Sequence, residues 1–214
     1  MEKHSIEKHN YEYLAKRVLE KTFPDRYGIL EQADKPDLIS KYGTSVEVTR
    51  CMSTEEGVVN DLACKVLRHS VDETSPELKK TINTIERKGF RLLEYHGQYV
   101  GYGLAEAIWS TPNGLINTTC TKIKKLDTYG DRTDLFIYAS IHGDNEETNI
   151  LIEYFEWCKK QFQQRKNKYH HIYIFDFESI CDFDFDNLEM NIVYLEKPLI
   201  NEMVHETRKK FNYE

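Results

Sequence analysis

In the stretch KPDLISKYGTSVEVTRCM, residues 35–52, Asp37 follows Pro36 and Glu47 stands between Val46 and Val48. Carboxylates are hard oxygen ligands, and Mg²⁺ needs only one or two of them, completing its shell with water and substrate phosphate oxygens. An ion held in this way activates a bound water and neutralises charge building on a phosphate. An acid inside an apolar, β-branched run is thus a candidate ligand if a second acid converges on it. The structural alternative is that Asp37 caps a turn after Pro36 while Glu47 sits on a solvated strand face.

Convergence requires adjacent strands. Side chains alternate along a strand, so Glu47 and Thr49 share one face while Val46, Val48 and Arg50 share the other. The runs YGILEQ, PDLIS and TSVEVTRCM are short and β-branched, with Gly43 marking a turn, and predict three strands in a meander. Asp37 opens the second and Glu47 lies in the third, which directs both carboxylates to one end of a sheet.

The flanking segments supply the rest of the frame. Tyr11, Leu14 and Val18 predict an amphipathic helix over 5–22, ended by Pro24. Val58, Leu62 and Val66 predict a helix over about 56–69. Leu78, Ile82 and Ile85 predict another over about 76–88, with Ser75 and Pro76 as cap and first residue and Gly89 as stop. Residues 90–112 read as a strand or irregular hairpin. Ile116, Cys120, Ile123 and Asp127 restore helical spacing, DLFIYAS (134–140) reads as a strand, and residues 146–165 as a strong helix. HIYIFDF (171–177) and NIVYLE (191–196) read as strands. The order is helix, three-strand meander, helices, strand, helix, strand, and it predicts an α/β sandwich with a mixed central sheet flanked by helices. At 214 residues the chain fits a single domain, 1–214, with room for an insertion at about 76–128.

A helix, a strand pair bearing PD, a turn, and VEVT ahead of another helix resembles the PD-(D/E)xK nuclease superfamily, over about residues 7–70. That resemblance implies a restriction-endonuclease-like fold and hydrolysis of DNA or RNA phosphodiesters with Mg²⁺ or Mn²⁺. It implies Asp37 and Glu47 as metal ligands, with an acid from the opening helix joining them: Glu12, with Glu20 behind it. Where the superfamily triplet ends in Lys, this chain has Thr49, which carries no charge, and Arg50 lies on the other strand face. An active enzyme then needs a lysine from elsewhere. Lys65 follows the motif strand on the next helix, and Lys122, Lys125 and Tyr129 are spaced i, i+3, i+7 along one helical flank. Without such a lysine the chain is a non-catalytic binding or regulatory protein on the same fold. Nucleases of this superfamily often pair, so a homodimer is a further expectation.

The remaining features narrow the field. A net charge of −7 is not that of a general nucleic-acid coat protein, although KIKK (122–125), KKQFQQRKNK (159–168) and RKK (208–210) offer local basic faces. Serine-hydrolase, P-loop and dinucleotide motifs are missing, and the His residues show no helical metal-binding pair. His170 and His171 begin a strand and point to opposite faces, as strand-edge decoration. The acidic tract FDFESICDFDFD reads as a solvated or partner-facing surface. Five irregularly spaced cysteines suggest reduced thiols. The opening MEKHSIEKHN is too polar for a signal-peptide core and no run is long enough to span a bilayer, so a cytoplasmic setting without a membrane partner is expected.

Overall fold

The computed structural model describes residues 3–51, 54–67, 69–73, 75–88, 90–104, 112–129, 132–139 and 144–211. The chain forms two compact units, one of Met1–Cys51 with Thr111–Glu214 and one of Met52–Ser110. The first unit opens with helix α1 (Lys3–Thr22), the short helix α2 (Pro24–Tyr27) and strands β1 (Leu30–Gln32), β2 (Leu38–Ser40) and β3 (Ser45–Arg50). The second unit holds α3 (Thr54–Val66), α4 (Pro76–Arg87), β4 (Phe90–Tyr95) and β5 (Gln98–Leu104). The chain then returns to the first unit with α5 (Pro112–Ile123), β6 (Thr133–Tyr138), α6 (Asp144–Gln163), β7 (His171–Phe175), β8 (Ser179–Asp184), β9 (Glu189–Tyr194) and α7 (Lys197–Lys210).

Seven strands of the first unit make one mixed sheet in the order β1-β2-β3-β6-β7-β8-β9. The meander β1-β2-β3 is antiparallel, β6 and β7 run parallel to β3, and β8 and β9 are antiparallel additions. Strand alternation divides the apolar residues cleanly. Leu135, Ile137, Ile172, Ile174 and Phe183 pack under Leu115 of α5 and Leu151, Phe155 and Cys158 of α6. On the opposite face Val46, Val48, Phe136, Tyr138, Tyr173 and Phe175 pack under Leu14, Ala15, Val18 and Leu19 of α1 and Met203 of α7. The result is helices, sheet, helices in three layers.

Local chemistry sets the turns around the motif. Gly43 takes φ +83 between β2 and β3, a backbone state that other residues rarely adopt. Ser40 Oγ accepts from Tyr42 N at 3.2 Å and Thr44 N at 3.1 Å, which fixes the tight turn. In the second unit Ser75 caps α4 by accepting from Leu78 N at 3.2 Å, with Pro76 in the first turn. Its core is Val59, Ala63, Val66, Leu78, Ile85 and Phe90. The ambiguous 90–112 stretch resolves into the hairpin β4–β5, turned at His96 and Gly97, both at positive φ. Residues 105–111 of that stretch and the expected stop at Gly89 lie outside the described residues. This unit spans 52–110, so α3 falls inside it and α5 outside, whereas the sequence suggested an insertion at about 76–128.

Three sequence expectations need correction. The acidic tract is a solvated surface only at its ends, where Glu178 and Asp186 are exposed: its middle carries β8, every residue of which is buried. Its acids have internal partners. Asp182 accepts from Arg26 at 2.8 Å and lies 2.9 Å from His171 Nδ1, and Asp184 accepts from Asp186 N, Asn187 N and Asn187 Nδ2, each at 2.9 Å. His171 is likewise buried rather than decorative. Beside it Tyr27 donates to Asp134 at 2.6 Å and lies 2.9 Å from the Tyr173 hydroxyl, to which Arg26 also donates. Last, the helical spacing through Asp127 breaks: α5 ends at Ile123 and Leu126–Thr128 form a 3-10 turn. Helix α7 is an addition to the expected order. Among the described residues no helix is long and apolar enough to cross a membrane.

Candidate functional site

Asp37 stands one residue before β2. The register pairs Leu38 with Val46, which sets Asp37 level with Glu47 on the neighbouring strand. Beyond the short β2, the Val48 amide has no β2 carbonyl to meet, and it donates instead to Asp37 Oδ2 at 2.8 Å. Asp37 Oδ1 lies 3.0 Å from Lys8 Nζ, and the same ammonium lies 3.0 Å from Glu12 Oε1 one helical turn along α1. His9 Nδ1 lies 2.9 Å from Glu12 Oε2. Glu12 Oε1 is buried, and its partner is the Lys8 ammonium. Burial raises the Asp37 pKa; the Val48 amide and Lys8 oppose it, and the net shift is upward. Burial pulls Lys8 the other way, but Asp37 and Glu12 outweigh it and hold the ammonium protonated.

Glu47 is buried on the face opposite Val46 and Val48, level with Leu135 of β6. Lys122, in the last turn of α5, donates to Glu47 Oε1 at 2.5 Å. The Tyr129 hydroxyl also bonds to Glu47, and its pKa is raised by burial, then by Glu47, then by the charge of Asp37. One phenol thus feels both motif acids. Tyr169 is fully buried, its hydroxyl makes no hydrogen bond, and burial followed by the charges of Glu47 and Tyr129 raises its pKa. A buried phenol without a partner is uncommon.

The other residues singled out by sequence fall elsewhere. Thr49 is half-buried, and the Arg50 guanidinium lies 4.3 Å from the Tyr11 ring centre, on the α1 side of β3. Lys125 is exposed in the turn after α5, off the helical line that spacing suggested, because the helix has already ended. Lys65 is exposed on the last turn of α3, in the second unit. Glu20 ties α1 to β1 by accepting from Leu30 N at 2.8 Å and pairs with Lys16 and Arg17. Lys8 and Tyr169 escaped the sequence reading. The i, i+4 spacing of Lys8 and Glu12 was a visible signal, whereas nothing local marks Tyr169.

Among the described residues no group of three or more His, Cys, Asp or Glu side chains is gathered closely enough to hold a metal ion by itself. The acids instead divide between two protein cations: Glu12 and Asp37 share Lys8, and Glu47 holds Lys122. Glu12 and Asp37 nevertheless suit a hard divalent ion. They are fixed, buried carboxylates already placed around one positive charge, and two carboxylates suffice for Mg²⁺. Compared with protein-family models, curated proteins and solved structures, the chain matches none.

Proposed function

We propose that the chain is a divalent-metal-dependent nuclease of the restriction-endonuclease-like kind, hydrolysing phosphodiester bonds of DNA or RNA. The observation that carries this reading is Lys122 on Glu47, because it brings an ammonium to the motif strand whose own third residue is the uncharged Thr49. Topology supports it as well: a helix, an antiparallel meander, and a strand parallel to its third member.

In this reading Glu12 and Asp37 hold Mg²⁺ or Mn²⁺, which when bound supplies an activated water and charge neutralisation at the phosphate. Glu47 is fixed by Lys122 and Tyr129 and flanks that position. Lys122 contributes positive charge toward the oxygens that become more negative in the transition state, a form of stabilisation that is strongest in a buried setting. The Val48 amide orients Asp37 by binding the oxygen that does not face Lys8.

A second reading has one observation in its favour. Both motif acids are already neutralised by lysines, as in a binding protein that keeps the scaffold without the chemistry. Incubation with labelled single- and double-stranded DNA and RNA in Mn²⁺ separates the two. Cleavage of at least one substrate, lost in both Asp37→Asn and Glu12→Gln, is expected of the nuclease; binding without cleavage selects the second reading.

A further inference from the structure

Two buried carboxylates facing one point repel each other, and each loses hydration on burial, so a positive charge at that point is stabilising. Here the cation is Lys8. Its Nζ lies 3.0 Å from Glu12 Oε1 and 3.0 Å from Asp37 Oδ1, while the two acid side chains are only 2% and 4% exposed. The lysine differs from the acids in one respect: its side chain is 55% exposed. The carboxylates are fixed by the protein, whereas the ammonium sits on a flexible stem with water within reach.

We propose that Lys8 is a tethered placeholder for the metal: it occupies the point between Glu12 and Asp37 in the metal-free protein and swings into solvent when a divalent ion binds there. The inference rests on the metal-dependent reading of the site. It explains why three acids that sequence assigns to one ion stand divided between ammonium groups. Competition of this kind sets a threshold, because the metal must displace a charge that is always available at high effective concentration. Lys8 is a regulatory residue here; it takes no part in bond cleavage.

Titration calorimetry with Mn²⁺ tests the proposal on the full chain. Lys8→Gln is expected to bind Mn²⁺ at least about fivefold more tightly than wild type, the range typical of a coupling between competing occupants. Asp37→Asn is expected to abolish binding in both backgrounds. A Lys8→Gln affinity equal to or weaker than wild type, with binding still dependent on Asp37, overturns the placeholder role and leaves the metal site standing. No Mn²⁺ binding in either background overturns both. A measurement on the unsubstituted protein guards against a folding defect in the variant. Reductive methylation read by mass spectrometry should modify Lys8 severalfold faster with saturating Mn²⁺ than with chelator, and an unchanged or slower rate contradicts displacement.

Discussion

In the proposed nuclease, Lys122 supplies the charge that Thr49 does not carry. Thr49 shares the strand face of Glu47 but has no charge, and Lys122 delivers the charge from α5 across a 2.5 Å hydrogen bond. Lys122→Met is expected to lower the rate of cleavage about a hundredfold or more, the scale of losing one preorganised electrostatic group. Thr49→Lys in that background should restore part of the loss, since residue 49 projects to the same side; single-turnover rates of the three proteins check both statements. Asp134 gives a second residue-level prediction, concerning pH. Burial outweighs its bonds from Tyr27 and the His171 amide and raises its pKa in the folded state. The folded protein therefore holds a proton that the unfolded chain, with a carboxyl near its ordinary value of about 3.9, has released. Because the folded state binds more protons in that window, this residue makes stability fall as pH rises from the unfolded value through the folded one. Asp134→Asn should flatten that part of the profile in urea unfolding measured from about pH 4 upward.

Elements are held in place by side chains whose partners are distant in sequence. Asp182 of β8 binds Arg26 of α2 and His171 of β7, and it is almost completely buried. Asp182→Ala leaves both partners without their acid and should destabilise the first unit by about 3 kcal/mol in chemical denaturation, the cost of breaking a buried pair from one side. The same residue shows where sequence stops being informative. The meander was legible because three short apolar runs are punctuated by a turn at Gly43, with Val46 and Val48 on either side of Glu47, and α4 because Ser75 and Pro76 announce its start. Strand β8 was not, since acids and aromatics alternate as they would on a wet surface, and only tertiary partners make Asp182 and Asp184 interior groups. Helix α7 was readable in principle: Leu199, Ile200, Met203, Val204 and Thr207 follow helical spacing behind Pro198. At the site, Asp37 and Glu47 could be singled out from strand parity and the turn. Which of Lys65, Lys122 and Lys125 meets Glu47 could not, because the end of α5 at Ile123 decides it, and Lys8 meets Asp37 only through the packing of α1 on the meander.

For the whole molecule, the charge balance and the proposed metal site have measurable consequences. A chain with net charge −7 repels polyanions at long range, so on the nuclease reading attraction to nucleic acid comes from local cations and from the proposed metal. A metal that binds only the folded first unit stabilises it by about 2.7 kcal/mol at a hundredfold excess over Kd, or about 5–10 °C in Tm for a protein of this size. Asp37→Asn should remove that gain in differential scanning fluorimetry with Mn²⁺. The most direct test of a metal-dependent nuclease at this site is the cleavage rate against Mn²⁺ concentration, for wild type and Asp37→Asn, with chelator added at the end. The expected result is a rate that saturates with metal, stops on chelation, and falls at least about a hundredfold in the variant. A rate that Asp37→Asn leaves unchanged, or no cleavage of any DNA or RNA at any metal concentration, would contradict it.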